Sequence, residues 1–289
     1  MLGSCFILLY SIYSNRISIF ERCKMSQIDK FFNILELFFQ HPKGLQLSEV
    51  SDKLGIPLAT AHRMLGVFKD RGYLTQDMRE EYHLSLLLPS MGKNFIASTG
   101  FSELLQPHLN RLALETGEHI RLAAVVEGQL IWVLRAVESG HGLQYRGAPE
   151  TKIIPHITAS GKLWLSTLKE EEAVRIVSNW NIEESKTYGG SRAKATIKEL
   201  LDDLEKIRKD RFSIIIEEAE VGVAAAAIGV YEAGDTGILA GTLSLAGPTA
   251  RLDRKKLIVY KAEMQKTAHD MQEAWNLWAA VNTSGIKTR

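Results

Sequence analysis

The sequence predicts an α+β protein in which a winged helix-turn-helix precedes a larger, mixed α/β domain. Residues 46–74 contain two short helical patterns that meet at a Gly-Ile-Pro turn, and two short strand patterns follow them. The rest of the chain mixes strand-like and helical segments, and its 289 residues, 45% of them hydrophobic, are enough for two domains. We expect an extension at 1–24, the winged helix-turn-helix at 25–88, a linker helix at 89–100 and the second domain at 101–289.

The extension at 1–24 has an apolar stretch that is too short and too interrupted to span a bilayer. Ser11, Ser14, Asn15 and Arg16 break it, and almost no positive charge precedes it, whereas a secretory signal carries charge there. Met25 stands just before the first clear helical pattern. We therefore expect a segment that is disordered or arises from an upstream start, and no membrane partner; a signal anchor is the alternative.

Two helical patterns come before the Gly-Ile-Pro turn. Their apolar faces consist of Ile28, Phe31 or Phe32, Leu35 and Phe38 or Phe39 in the first, and of Leu47, Val50 and Leu54 in the second. Ser48 is positioned to cap the second helix, and Glu49 and Asp52 would lie near the positive end of its dipole. A third helix after the turn would complete a three-helix core.

The third pattern has the features of a recognition helix. Gly55 supplies the turn, and Pro57 fits a first helical position because a missing N–H costs nothing there, so the helix should begin near Leu58. Its inward stripe would be Ala61, Met64 or Leu65, and Phe68. Since the exposed N-terminal half of such a helix meets base edges in a major groove, the candidate DNA-binding residues are Ser48, Leu58, Ala59, Thr60, His62 and Arg63.

A β-hairpin wing should follow the recognition helix. Residues 73–76 and 82–86 are strand-like, and a charged Asp-Met-Arg-Glu tip joins them. Arg79 at that tip is a candidate contact to a phosphate of double-stranded DNA. Acidic and basic residues are nearly balanced in this segment, so the pattern rather than the charge predicts operator binding. A small α/β domain without a DNA role is the alternative.

The segment after the wing suggests how two chains pair. Residues 89–98 have the pattern of a linker helix, and a second helix at 101–115 has a buried face of Leu104, Leu105, Leu109, Leu112 and Ala113. A regulator with one recognition helix per chain usually needs a homodimer to read two half-sites one DNA turn apart. The linker helix is expected to carry the dimer contact, and a simple spacer is the alternative.

The second domain is expected to be an antiparallel sheet flanked by helices. Glu127-Gly128-Gln129 indicates a hairpin between its first two strands. The strand-like segments are 120–126, 130–137, 212–216, 223–230 and 237–245, and the helical ones are 158–167, 170–180, 194–209 and 255–281.

Three segments, in this order and spacing, resemble the IclR family of transcription regulators, and the resemblance covers the chain from Gln27 onward. They are PLATAHRMLGVFKDRGYL at 57–74, YRGAPETKIIPHITASGK at 145–162, and EEAEVGVAAAAIGV at 217–230 with SLAGP at 244–248. The resemblance implies a GAF/PAS-like effector-binding domain, a homodimer or dimer of dimers, and control of a catabolic operon in the cytoplasm by a small-molecule effector. Relatives include repressors and activators; a repressor is favoured here.

The helix start at Thr158, Ala159, Ser160 and Gly161 is the candidate anion site. Its backbone N–H groups have little side-chain bulk over them, which suits the carboxylate of an organic acid. An ordinary N-cap is the alternative, but the resemblance favours the ligand because relatives hold their effector against this turn. A Leu at position 161 is expected to block the ligand.

The chain departs from relatives that bind small keto-acids. The resemblance places the rest of the effector site at Ile215, Ala225, Ser244 and Ala246, and three of these four positions are apolar here. Unpaired polar atoms of a keto-acid would cost roughly 1–3 kcal/mol each against such a wall. We therefore expect an effector with one anionic end and an apolar or aromatic body, which further candidates would contact: Trp132, Leu143, Tyr145 and Trp164.

Catalysis, metals and cofactors find little support. The eight histidines form no zinc motif, there is no Gly-x-Ser-x-Gly elbow or phosphate loop, and the only cysteines are Cys5 and Cys23. Glu217 and Glu218 are adjacent on a predicted strand, so they should point to opposite faces. An enzyme with a GAF-like catalytic domain fused to a DNA-binding module is the alternative function. A structural DNA protein is disfavoured because the net charge is only +1.

Overall fold

The computed structural model describes residues 26–137, 153–232 and 237–282. These residues form two compact units, which divide between Ser98 and Thr99. The predicted extension at 1–24 lies outside the described residues. Among the helices described, none is both long and apolar enough to cross a membrane.

The first unit is a winged helix-turn-helix. Its elements are α1 Gln27–Gln40, α2 Leu47–Leu54, α3 Leu58–Asp70, β1 Leu74–Gln76, β2 Tyr82–Leu84 and α4 Leu87–Ser98. One apolar core joins α1–α3 and the wing, and its fully buried members include Ile34, Phe38, Val50, Ala61, Met64, Leu65 and Leu74. Leu45 extends the wing, because its N–H donates to the carbonyl of Tyr82 and its carbonyl accepts from the Tyr82 N–H. The three-helix core predicted from periodicity is confirmed.

The ends of α2 and α3 are set by local hydrogen bonding. The expectation that Ser48 caps α2 is wrong: the cap residue is Gln46, two residues earlier, and its N–H donates to Oε2 of Glu49 at 2.8 Å. Gly55 ends α2 with φ 61°, a left-handed conformation that glycine adopts without strain. Pro57 is the residue before α3 rather than its first, because it is extended with φ −57° and ψ 140°.

The second unit is a five-stranded antiparallel sheet with helices on both faces. Its elements are α5 Phe101–Thr116, β3 His119–Val126, β4 Gln129–Ala136, α6 Ala159–Thr167, α7 Glu170–Val177, a 3-10 turn Ile182–Glu184, α8 Ser185–Tyr188, α9 Ile197–Asp210, β5 Phe212–Ile216, β6 Val223–Tyr231, β7 Leu239–Pro248 and α10 Arg254–Asn282. The strand order is β4-β3-β7-β6-β5. The β3–β4 hairpin turns at Glu127 and Gly128, both with positive φ.

Alternation along the strands divides the sheet into two faces. Helices α6 and α9 cover the side that carries Ile215, Ala225 and Ala227, which we call the α6 face. Helices α5 and α10 pack on the opposite side. There Trp275 of α10 lies 3.4 Å from where a side chain at Gly241 would begin. Strand β6 is buried almost throughout because it lies between two other strands and has helices on both faces.

Candidate DNA interface and effector site

Helix α3 presents the predicted DNA-contacting side chains on one exposed face. Leu58, Ala59, His62 and Arg63 are exposed, and Thr60 is half-buried. The inward side is filled by the buried stripe predicted for it. Ser48 is exposed on α2. The exposed face of α3 therefore carries hydrogen-bond donors, which can bind acceptors on base edges, and small apolar groups, which can contact the thymine methyl.

The wing tip holds Arg79 in an exposed turn. Oδ1 of Asp77 accepts hydrogen bonds from the N–H groups of Arg79 and Glu81, each at 2.9 Å, which fixes the turn. Slight desolvation would raise the pKa of Asp77. The two backbone donors and His83 outweigh it and lower that pKa. Within the described part of the chain, neither Arg63 nor Arg79 has a carboxylate partner. Both guanidinium groups are available to DNA.

Helix α4 has an unusual surface for a helix inside a chain. It buries none of its residues, and Leu87, Met91 and Phe95 are exposed at positions i, i+4 and i+8. Such spacing aligns the three side chains along one face. An exposed apolar stripe of this kind is a candidate protein contact.

The start of α6 is a capped helix N-terminus. The Gly161 N–H donates to Oγ1 of Thr158 at 3.1 Å, and that hydroxyl donates to the carbonyl of Ile154 at 2.8 Å. A side chain added at Gly161 would overlap the backbone of Pro155. The missing side chain of Gly161 thus permits close packing against Pro155, and its part in effector binding stays a prediction.

The residue after Gly161 belongs to a buried ion-pair network that the sequence did not predict. Lys162 is 1% exposed, and its Nζ contacts carboxylate oxygens of Asp203, at 3.0 Å, and of Glu218. Burial raises the pKa of Glu218, although Lys162 opposes that shift. Glu217 and Glu218 lie in the turn after β5 rather than on a strand, and Glu217 instead pairs with Arg192. The two carboxylates have different partners, so they do not form an acid–base pair.

The candidate effector residues divide into two groups on the α6 face. Ala159, Ile215, Ala225 and Ala246 pack in one apolar cluster. Trp132 and Trp164 belong to a neighbouring cluster instead. Leu143 and Tyr145 lie outside the described residues.

Ser244 lies between the two groups. In the sheet it lies opposite Ala227 of β6 on one side and opposite Arg121 of β3 on the other. Its hydroxyl is 3.5 Å from the Arg121 carbonyl oxygen.

Positive charge lies beside Ser244. Arg121 and Arg135 are direct cross-strand neighbours on the α6 face, and the Arg121 guanidinium is 4.9 Å from the ring centre of Trp132. Burial, and then the charges of Arg121 and Arg135, lower the pKa of His119 to about 4. The two guanidinium groups therefore lie side by side on the α6 face.

Buried hydroxyl groups on the same side of the domain were missed by the sequence reasoning. Ser160, Ser213 and Thr242 are each at most 1% exposed, and among the described residues their hydroxyls have no hydrogen-bond partner. The signal was present in the alternation, because Ser213 and Thr242 each lie two residues before a residue that we considered, Ile215 and Ser244.

A separate open groove of about 430 Å³ lies at the β5 edge of the sheet. Ile214 and Ile216 line it, and they point away from the α6 face because they alternate with Ile215. Arg192, Lys194 and Arg254 also border it. This groove is distinct from the candidate effector residues.

Two family models match the chain. The one described as bacterial transcriptional regulator IclR C-terminal matches residues 93–273, and the one described as IclR helix-turn-helix domain matches residues 27–78. The HTH-type transcriptional repressor AllR of Salmonella typhi is 25% identical over 251 residues, which are 86% of this chain and 90% of that protein. The AllR repressor of Escherichia coli K12 is 24% identical over 87% of this chain and 91% of its own.

Solved structures share the fold. An IclR transcriptional regulator from Alicyclobacillus acidocaldarius superposes with a TM-score of 0.72 at 18% identity, over 88% of this chain and 99% of that one. An IclR homologue from Microbacterium hydrocarbonoxydans, complexed with 4-hydroxybenzoate, gives a TM-score of 0.69 at 15% identity, over 87% and 100%.

Proposed function

This chain belongs to the IclR family of bacterial transcriptional regulators, and we propose that it represses a catabolic operon until a small organic acid binds its second domain. The observation that carries the DNA half is the exposed face of α3, with His62 and Arg63 above a fully apolar inward stripe. Curated relatives at 24–25% identity are repressors, which supports this sign of regulation. A fused enzyme is not favoured by these relatives. Because an operator is a cytoplasmic target, we propose the cytoplasm as the site of action.

The effector half of the proposal draws on charge and on a related structure. Arg121 and Arg135 lie side by side on the α6 face, and the α6 N-terminus, where anions are stabilised, covers the same face. A homologue of the same fold carries 4-hydroxybenzoate, an aromatic acid. The Ala-rich surface of Ala225, Ala227 and Ala246 suits an apolar or aromatic body. We therefore propose an organic acid of this type as the effector.

A homodimer is part of the same proposal. Two recognition helices are needed to read two half-sites, and the exposed stripe of α4 offers an apolar contact for a second copy. Association of two dimers into a tetramer is compatible with the family and is the proposed higher assembly.

The test combines operator binding with an acid panel. The full chain should bind its own upstream region more tightly than unrelated DNA, and an acid that stabilises the protein should weaken that binding by about 5- to 150-fold, the range of a 1–3 kcal/mol coupling. Thermal stabilisation identifies the acid, since about 100 times its dissociation constant adds roughly 2.7 kcal/mol. Operator preference without any response to acids would refute the effector half. Equal affinity for all DNA would refute the regulatory function.

A further inference from the structure

The wing tip carries a surplus of negative charge where a DNA contact is proposed. Residues 77–81 contain three carboxylates, those of Asp77, Glu80 and Glu81, but only one guanidinium, that of Arg79, so their net charge is −2. Such a charge repels the phosphates that the wing is expected to approach. A cation bound at the tip would remove this conflict.

Strand register brings three side chains together on the outer face of the wing. Asp77 follows β1 and Glu81 precedes β2, and the two oppose each other because the Asp77 N–H donates to the Glu81 carbonyl at 3.0 Å. His83 lies two residues beyond Glu81, which turns it to the same face, whereas Tyr82 between them points into the apolar core. One ligand atom from each of Asp77, Glu81 and His83 lies within 4.8 Å of the other two.

The two carboxylate oxygens of Asp77 have different partners. Oδ1 accepts the N–H groups of Arg79 and Glu81 and so holds the turn, whereas Oδ2 lies 3.3 Å from Nε2 of His83. A charge-assisted hydrogen bond is usually shorter, at about 2.7–2.9 Å. Two ligand atoms at the corners of a tetrahedron around Zn²⁺ are about 3.4 Å apart, since each lies about 2.1 Å from the ion. The Asp77–His83 distance therefore fits two ligands of one metal ion.

A second part of the unit holds the imidazole of His83 in place. Gly44 lies in the loop between α1 and α2 with φ 92°, and a side chain there would overlap Cε1 and Nδ1 of His83. The ring thus packs directly on the glycine, with Nε2 towards Asp77. Ligands held by packing in this way bind a metal ion more tightly, because less side-chain entropy is lost on binding.

The three donors select a class of metal. Imidazole nitrogen suits Zn²⁺ and its first-row neighbours, whereas Mg²⁺ and Ca²⁺ prefer oxygen ligands. Three protein ligands also leave a position for water or for a phosphate oxygen. The search for zinc motifs in the sequence did not find this group, because its members come from both arms of a hairpin. In the described part of the chain, no other His, Cys, Asp or Glu side chains meet in a group of three at this spacing.

We propose that the wing tip is a binding site for a divalent first-row transition metal ion such as Zn²⁺. Its ligands are Oδ2 of Asp77, a carboxylate oxygen of Glu81 and Nε2 of His83. The bound ion cancels the net charge of the tip, and its remaining position is available to a DNA phosphate oxygen beside Arg79. The metal site stands independently of the proposed function, whereas its effect on DNA rests on that function.

Calorimetry of the metal-free full chain with Zn²⁺ tests the site, and Mg²⁺ is the comparison ion. Asp77→Asn and His83→Gln should each weaken one equivalent of Zn²⁺ by at least about 10- to 100-fold, since even a partner outside the ligand shell costs that much. Asp77→Asn keeps an amide oxygen that can accept the two N–H groups of the turn. Co²⁺ in place of Zn²⁺ should give visible absorption that both variants lose.

Two substitutions are matched controls. Glu80→Gln removes the same charge as Glu81→Gln at the neighbouring residue, but Glu80 is not a member of the group and its loss should not weaken Zn²⁺. His269 on α10 lies 3.7 Å from Glu273, and within the described ranges no third ligand joins them. His269→Gln should therefore leave Zn²⁺ binding unchanged. Melting curves check that each variant is folded.

Fluorescence anisotropy with and without Zn²⁺ measures the effect on DNA. A phosphate contact is indifferent to sequence, so Zn²⁺ should tighten operator and unrelated DNA alike, by about two- to fivefold for an exposed pair of charges. Asp77→Asn and His83→Gln should lose this gain, and Glu80→Gln should retain it.

Three results would overturn the metal site: no binding of Zn²⁺, a Zn²⁺ affinity unchanged in both Asp77→Asn and His83→Gln, or Mg²⁺ binding as tight as that of Zn²⁺. Zn²⁺ binding that leaves DNA affinity unchanged would overturn the coupling to DNA. The calorimetry contains no DNA and no acid, so a failure of the proposed function would be seen separately, in the operator and effector assays.

Discussion

The arginine residues of the two units differ in whether a carboxylate pairs with them. In the second unit Arg111 and Arg251 bind Asp270 and Glu118 at 2.7 and 2.8 Å. On the first unit, within the described residues, Arg63 has no such partner and is exposed. Paired arginines hold elements together, whereas an exposed unpaired one on a recognition helix is suited to contact a base or phosphate.

Arg63→Ala should abolish the preference for the operator and leave folding intact. The expected loss is about 1–3 kcal/mol for operator DNA if Arg63 reads a base, with little change for unrelated DNA. Arg79→Ala is the comparison: it should weaken both kinds of DNA and reduce the salt dependence by about one unit, as expected for a phosphate contact. Fluorescence anisotropy at several salt concentrations measures both. Unchanged operator affinity in Arg63→Ala would contradict the assignment.

Lys162→Met should strongly destabilise the protein, because it leaves the buried Glu218 carboxylate without its cation. The expected cost is about 3–5 kcal/mol in the free energy of unfolding, and adding Glu218→Gln should recover part of it. Lys206→Met is the matched control, since Lys206 also approaches Asp203, at 3.8 Å, but is 74% exposed. That control should change stability by less than about 0.5 kcal/mol. Similar effects of the two substitutions would contradict the network's role.

Gly161→Ala should destabilise the second unit, because the added Cβ would overlap the Pro155 backbone. A loss of about 1–3 kcal/mol is expected from such overpacking. Gly66→Ala is the control: nothing lies within 4 Å of its added Cβ, and alanine is the better helix former by about 1 kcal/mol. Urea unfolding measures the free energy of unfolding of both variants. An unchanged value for Gly161→Ala would show that the turn can shift.

Among the elements, α4 has a surface that its own chain does not cover. Its stripe of Leu87, Met91 and Phe95 is 37%, 50% and 67% exposed. Cross-chain burial of such a stripe would contribute about 25 cal/mol per Å² of apolar area. The proposed dimer contact depends on this helix.

Met91→Glu combined with Phe95→Glu should shift the protein from dimer to monomer and lower operator affinity, because charge is introduced into the proposed contact. Helical content should not change, since both side chains are exposed. Lys93→Glu changes the charge of an exposed residue away from the stripe and should leave the dimer intact. Sedimentation velocity distinguishes the species. A dimer that survives the double substitution would move the interface elsewhere.

At the scale of the whole molecule, two buried histidines make stability depend on pH. Burial, followed by nearby cations, lowers the pKa of His119 and of His156 to about 4, from 6.5 in the unfolded chain. The unfolded state therefore binds more protons than the folded state between these values. The contribution of these two histidines to stability is fully present above pH 6.5 and is lost as the pH falls towards 4.

The free energy of unfolding should decrease by about 1.4 kcal/mol per pH unit for each buried histidine over this window. His156→Asn should reduce the slope, and its side chain can still hydrogen-bond to Ser185, which His156 contacts at 3.0 Å. His269→Asn, at a site 73% exposed, is the control and should leave the slope unchanged. Denaturant titrations between pH 7.5 and 4.5 measure it; identical slopes in all three proteins would contradict the buried-histidine account.

Local patterns predicted much of the architecture. The helical patterns around Gly55, the hairpin at Glu127-Gly128 and the period-two strands were readable because each signal lies within a few neighbouring residues. Family resemblance, carried by segments such as 57–74, predicted the effector-domain class that the structural neighbours share. Assignments that depended on one residue's surroundings were less secure, as the cap of α2 shows.

The helix-turn-helix, the wing and the antiparallel class of the second domain could be predicted from the sequence, because propensity, turn chemistry and periodicity act over short stretches of chain. Which ions pair could not be predicted, because that depends on residues far apart in the chain. Lys162 and Glu218 are 56 residues apart, and Ser244 and Arg121 are 123 apart. Strand order brings such residues together through long-range pairing and burial. No local pattern records such pairing, so these contacts could be recognised only in the folded chain.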